Sequence, residues 1–231
     1  MTALVLLPGM DGTGKMFADF VDAMQARCIV VAYPLDQPLG YAELEQLVHA
    51  LLPQDEDFIL LGESFSGPLA LTLAAQHLPR LRAVVLVSTF AKLPYPRLPQ
   101  FLQRLISAGP FWRMPPRLTA RTILGRHCTP RLFELLKQTR ASVAPQVWKA
   151  RIRAVLGIDC TPVLPYVHVP VLHLRGREDQ LIFTSAVTHL SRNLPTMQLV
   201  SLDGPHWLLQ TKPAEAAAAL RAFATRHSIV L

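Results

Sequence analysis

Residues Phe58-Ile-Leu-Leu-Gly-Glu-Ser-Phe-Ser-Gly67 decide how this chain is read. The apolar run from Phe58 to Leu61, closed by Gly62, has the form of a strand buried on both faces, and Pro68-Leu-Ala-Leu-Thr-Leu-Ala-Ala-Gln-His77 has the composition of a helix. Ser64 then falls at the tip of a strand-to-helix turn. A nucleophile elbow, Gly-x-Ser-x-Gly, puts a serine on such a turn with its hydroxyl exposed, and needs small residues two positions away on either side because strand and helix backbones nearly touch there. Gly62 meets that need on one side and Ser66 takes the glycine's place on the other. Centring the motif on Ser66 instead would require a small residue at Pro68, so Ser64 is the preferred nucleophile. The competing reading is a serine that only caps the helix that follows.

Outward from this stretch the chain alternates. Ala3 to Leu7, Arg27 to Ala32, Phe58 to Leu61 and Leu81 to Val87 read as short buried strands, and Lys15 to Met24 and Tyr41 to Leu52 as helices between them. Repeated strand-helix-strand units imply a mostly parallel sheet whose ligands bind beyond the strands' carboxyl ends. From Lys92 to Pro165 strand-like runs vanish, and helical segments are expected at Pro99 to Ser107, Arg117 to Leu124, Pro130 to Arg140 and Pro145 to Leu156. That stretch reads as a helical cap inserted into a core formed by residues 1–91 and 166–231. The sheet resumes at Val169 to Arg175 and ends at Met197 to Leu202, with a helix over Thr184 to Asn193 between them and a single closing helix over Trp207 to His227.

A length of 231 residues suits one α/β domain with an insertion, and 51% hydrophobic residues argue against disorder. The amino-terminal residues lack a basic leader and a cleavage site, no apolar run approaches a membrane span, and Cys28, Cys128 and Cys160 form no metal or redox spacing. A cytoplasmic protein without stable membrane insertion is the expectation. Charge is concentrated: 13 Lys and Arg against two acids lie between Lys92 and Pro165, a net +11 in a chain of +7.

A serine hydroxyl needs a base to remove its proton and a third group to orient that base. His206 follows the last expected strand and Asp179 the strand before it, with Glu178, Asp203 and Asp159 as rivals to Asp179. Asp203 is expected to brace the turn carrying His206, and Glu63 to bond a backbone amide. His168 and His173 have no carboxylate or cysteine at ligand spacing, so no metal is expected. The turn Gly9-Met-Asp-Gly-Thr-Gly-Lys15 fits the first seven positions of a phosphate-binding P-loop, but Met16 stands where a Mg²⁺-binding hydroxyl belongs. A plain glycine turn is the other local reading.

Leu7-Pro-Gly-Met-Asp-Gly-Thr-Gly14, Gly62-Glu-Ser-Phe-Ser-Gly67, Gly176-Arg-Glu-Asp179 and Gly204-Pro-His206 together resemble the α/β-hydrolase superfamily over essentially the whole chain. Pro8 departs from the histidine many members carry before the oxyanion glycine, Ser66 from the usual glycine, and the chain begins on what would be the family's third strand. The resemblance implies an α/β-hydrolase fold, the order Ser64, Asp179, His206 for a catalytic triad, and an oxyanion hole from the backbone amides of Met10 and Phe65. It also implies ester hydrolysis through an acyl-enzyme with no cofactor; a general short- or medium-chain carboxylesterase or thioesterase is the alternative, and a P-loop-like nucleotide-binding protein or a non-catalytic scaffold the remoter one.

Within the cap, Phe101, Phe111, Trp112, Phe133 and Trp148 offer apolar surface, and Phe111, Trp112, Phe133 and Trp207 are the expected substrate-pocket residues. Arg117 with Arg121, and Lys149 with Arg153, lie four apart on their helices, an arrangement that favours an acidic partner. In layout and charge the chain is similar to the superfamily's pimeloyl-[acyl-carrier-protein] methyl ester esterases, which implies an acyl carrier protein docked on the basic cap. Nucleic acid is not the expected partner, because the basic residues are not interleaved with a reading motif.

Overall fold

The computed structural model describes residues 1–93 and 114–231. Six parallel strands, β1 (Ala3–Leu7), β2 (Cys28–Val30), β3 (Phe58–Glu63), β4 (Leu81–Val87), β5 (Val171–Gly176) and β6 (Gln198–Leu202), form one sheet in the order β2-β1-β3-β4-β5-β6. Every residue of β1 and β3 is buried, as expected for strands covered on both faces. Successive side chains serve opposite cores. Val5, Leu7, Leu60 and Leu86 pack under helices α2 (Tyr41–Leu51) and α3 (Gly67–Ala74), whereas Leu4, Leu6, Ile59 and Leu61 pack against α1 (Ala18–Met24) on the other face.

The chain leaves β1 toward β2 and then crosses back to place β3 on β1's other side. Such a switch point opens a crevice at the carboxyl ends of the two strands, where Gly9 and Ser64 lie. β2 is shorter than the expected Arg27 to Ala32 and only partly buried, because it pairs with β1 alone at the sheet's edge.

Three cap helices are described: α4 (Pro116–Leu124), α5 (Pro130–Ser142) and α6 (Pro145–Gly157). Each opens on proline, whose fixed φ and missing N–H suit a first helical turn. The expected helix at Pro99 to Ser107 lies outside the described residues. Lys92 and Asp159 form an antiparallel bridge that closes the base of the insertion. Beyond the cap run α7 (Thr184–Asn193), α8 (Leu208–Thr211) and α9 (Pro213–Arg226). The single closing helix expected from Trp207 to His227 is therefore two: Pro213 cannot donate a backbone bond and pushes Lys212 out of the helical region, to φ −134 and ψ 48.

At the elbow, strand and helix approach closely. A Cβ on Gly62 would sit 2.6 Å from the Ser66 carbonyl oxygen and 2.9 Å from Ala70 Cβ. Backbone cannot yield as a side-chain tip does. Gly62→Ala is expected to lower unfolding free energy by about 3 kcal/mol, the upper part of the usual overpacking range, read as a shift of the urea midpoint at unchanged slope.

Candidate active site

Ser64 follows β3 directly and adopts φ +50, the left-handed strain that lifts a side chain off an elbow. Its Oγ lies 2.9 Å from His206 Nε2, and His206 Nδ1 lies 2.9 Å from Asp179 Oδ2. Asp179 Oδ1 accepts the amides of Leu181 at 2.8 Å and Ile182 at 2.9 Å. Burial pushes the Asp179 carboxyl up, but His206 and those two amides outweigh it and hold the group below the usual carboxylate range. The loops carrying Asp179 and His206 meet because β5 ends on Gly176, where an added Cβ would fall 2.3 Å from the Pro205 carbonyl oxygen.

The rivals to Asp179 point elsewhere. Glu178 pairs with Arg126 at 2.6 Å and His127 at 3.0 Å, and Asp159 with Lys92 at 3.8 Å. Asp203 is exposed and faces Arg126 at 3.7 Å instead of bracing the His206 turn. That turn is held from the cap, by Trp207 N–H donating to the Ile123 carbonyl at 3.2 Å.

Ser66 is more than a small residue in glycine's place. Its buried hydroxyl donates to the Pro8 carbonyl and accepts from the Tyr33 phenol at 2.6 Å, tying the elbow to the loop after β1. Phe65 is fixed by its ring, stacked on Tyr41 at 4.8 Å between centroids, and by its carbonyl, which accepts the Tyr41 hydroxyl at 2.7 Å. The loop after β1 runs beside Ser64: a Cβ on Gly9 would lie 4.0 Å from Ser64 Cβ. The Gly12 amide donates to the Gly9 carbonyl at 3.0 Å, and the Thr13 amide to Asp11 Oδ1 at 2.9 Å. A P-loop needs its amides turned toward phosphate, so these internal bonds count against that reading of Gly9 to Lys15.

Glu63 differs from its expected backbone contact. Its carboxylate is buried in the wall of the site, with Oε1 accepting from Gln210 Nε2 at 2.9 Å. Burial pushes it up to about 7, the Gln210 bond opposing and nearby Asp11 adding to the rise. Only its place beside the elbow serine marked it in the sequence; Gln210 carried no signal at all.

A cavity of about 350 Å³ opens above Ser64 and His206. Its wall is mostly apolar, from Met16, Met114, Ile123, Leu136, Trp148, Ile152, Leu181 and Trp207, with Asp11, Glu63, Gln210, Arg140 and three threonines among its polar members. Trp207 was an expected pocket residue. Phe133 was too, but it packs instead against the Ala120–Leu124–Leu132–Leu136 cluster, where Lys137 Nζ lies 5.8 Å from its ring centre. Phe101, Phe111 and Trp112 lie outside the described residues. Arg117, Arg121 and Arg153 are exposed, and Lys149 is half-buried.

Comparison with known proteins agrees with this architecture. A family model described as "Alpha/beta hydrolase family" matches residues 4–220. Among curated relatives, the pimeloyl-[acyl-carrier protein] methyl ester esterase of Vibrio atlanticus is 25% identical over 96% of this chain and 94% of its own, and that of Aeromonas hydrophila is 29% identical over 87% and 86%. The crystal structure of bromoperoxidase from Bacillus anthracis superposes with a TM-score of 0.84 at 18% identity, covering 97% of this chain and 92% of that one.

The buried Glu63 predicts a pH-dependent stability. A folded-state value raised to about 7 means that the contribution of protonated Glu63 is fully present below about 4.5 and is lost as pH rises through about 7. Glu63→Gln keeps the shape and cannot ionise. Its stability relative to wild type is expected to rise between pH 5 and pH 8 by about 2–3 kcal/mol, measured from urea midpoints at the two pH values.

Proposed function

Because the chain belongs to the alpha/beta hydrolase family, we propose that it hydrolyses carboxylic esters through an acyl-enzyme formed on Ser64. The observation that carries this reading is the run of short contacts from Ser64 Oγ through His206 to Asp179. His206 Nε2 takes the Ser64 proton as Oγ attacks the ester carbonyl. Asp179, kept ionised, holds Nδ1–H and stabilises the imidazolium that forms. The backbone amides of Phe65 and Met10 face the developing oxyanion, and His206 then gives its proton to the departing alkoxide. Water, activated by the same imidazole, releases the acid and restores Ser64. No cofactor enters the cycle.

The apolar cavity suits an acyl chain, which would lie against Trp148, Ile152 and Trp207 while its carbonyl meets Ser64. For the natural substrate we favour an acyl ester borne on an acidic carrier protein. Two features support that: the Vibrio and Aeromonas relatives are named pimeloyl-[acyl-carrier protein] methyl ester esterase, and the cap presents Arg117, Arg121 and Arg153 exposed on helices that also line the cavity. No helix among the described residues is long and apolar enough to cross a membrane.

Ser64→Ala is expected to reduce turnover of p-nitrophenyl acyl esters by about 10⁴-fold or more and to abolish labelling by a fluorophosphonate that modifies the wild type. A wild type with neither turnover nor labelling would remove the hydrolase reading. Acyl length, scanned from acetyl to dodecanoyl, reports the depth of the cavity.

Charge reversal tests the carrier. Arg117→Glu, Arg121→Glu and Arg153→Glu together are expected to lower kcat/KM for an acyl-carrier-protein methyl ester at least ~10-fold at low salt, leaving hydrolysis of the free acyl methyl ester unchanged. Equal loss on both substrates, or none on either, would set the carrier aside.

A further inference from the structure

Arg151 is the largest fully buried side chain described, at 1% exposure, although it comes from the basic cap. It projects from α6 into the core domain. Nη1 donates to the Met10 carbonyl at 2.8 Å and Nη2 to the Pro34 carbonyl at 2.9 Å, so one guanidinium joins the loop after β1 to the segment after β2. The Tyr33 ring lies 5.7 Å from Cζ. Room for the group exists because Gly12 lies against it at φ +71: a Cβ there would fall 2.6 Å from Nη1.

A buried cation is costly to desolvate, and here its hydrogen bonds go to main-chain carbonyls. A planar fork can hold two carbonyls from separate segments in fixed relation, which a lysine ammonium cannot reproduce. The Met10 carbonyl is on the residue whose N–H faces the oxyanion. Holding that carbonyl fixes the Met10–Asp11 peptide plane, and so restrains, across the two backbone torsions of Met10, the N–H on its other side.

We propose that Arg151 is a positioning residue for the oxyanion donor at Met10, so that the acyl-transfer site is complete only while cap helix α6 is seated on the loop after β1. This rests on the ester-hydrolase reading of Ser64. On this account the cap does two things: it walls the cavity, and it holds half of the oxyanion hole in place from behind. Opening of the cap would then relax the hole as the cavity empties, coupling turnover to closure.

The test compares Arg151→Met, Arg151→Lys and Arg151→Ala with wild type. For Arg151→Met, kcat for a p-nitrophenyl ester is expected to fall about 10²-fold, the scale of a lost oxyanion donor, with KM within about threefold. Arg151→Lys, which reaches one carbonyl at a time, should fall between. Millimolar guanidinium chloride should restore part of the kcat of Arg151→Ala, and ethylammonium chloride should not. Amide hydrogen exchange in a peptide covering Pro8 to Thr13 should speed up in Arg151→Met while β3 stays protected.

A kcat within threefold of wild type in Arg151→Lys together with no guanidinium rescue would overturn the proposal, as would a loss confined to KM. If Arg151→Met does not fold, the lysine variant and the rescue carry the test alone. If wild type neither turns over esters nor labels at Ser64, the functional reading fails by itself. The exchange experiment then still decides whether Arg151 holds the loop, and unchanged exchange overturns it.

Discussion

The hydroxyl of Ser66, on the elbow after β3, reaches across the switch point to the segments after β1 and β2, accepting from Tyr33 and donating to Pro8. Each member of this short chain is buried and paired, which is the condition under which a polar network in a low-dielectric interior gives rigidity instead of a penalty. The elbow after β3 and the loop after β1 are thereby fixed to one another within the span of a single side chain. Ser64 is on one of them and Met10 on the other, so Tyr33 and Ser66 hold the start of the Met10 loop, at Pro8, against the elbow, while Met10 itself is bonded from the cap by Arg151. A glycine at 66 would satisfy the steric demand of the elbow but leave the Pro8 carbonyl and the Tyr33 phenol without their shared partner.

The cap is attached to this core by contacts of two kinds. Arg126 with Glu178 and Arg131 with Asp19 are exposed ion pairs, screened by salt. Arg151 and the backbone bond from Trp207 to Ile123 are at the inner face, where water does not compete as freely. The inner contacts fall on the loop carrying Met10 and the turn carrying His206. Seating of the cap is therefore felt at both ends of the site, and the outer pairs tune how readily it happens without deciding the geometry.

The parallel sheet was legible because Phe58 to Leu61 and Leu81 to Val87 are continuous apolar runs that no half-exposed strand would carry. The three described cap helices were legible to within a residue or two for the same reason that prolines begin helices. What sequence could not convey was partnership. Ser66 reads as small in any pairing, and its strut appears only when Tyr33 and Pro8 are brought to it. Arg151 counted as one of 13 basic residues in the cap region, and among the described ones it is fully buried; burial of a charge is a property of the tertiary arrangement around Gly12. Phe133 failed as a pocket residue because aromatics at helical spacing look the same whether they face a ligand or a neighbouring helix. Pro213, by contrast, was visible and should have divided the last helix.

Glu63 poses the sharpest electrostatic question in the site. In the proposed mechanism, a carboxylate beside Ser64 would oppose the negative charge developing on the ester oxygen, and would do so strongly in an apolar cavity. Burial answers by favouring the neutral acid up to about pH 7, aided by Asp11, whose charge makes a second ionised carboxylate nearby less favourable. The neutral carboxyl can accept from Gln210 and keep a donor of its own, so it shapes the wall without adding charge. Arg151, from α6, is the counterpart behind the loop after β1: a cation bonded to the Met10 carbonyl and near Asp11, whose positive potential would favour an oxyanion at the proposed Met10 donor. The same burial that favours the neutral acid strengthens the effect of the buried guanidinium, one set by the core residues around Glu63 and the other by the seating of α6.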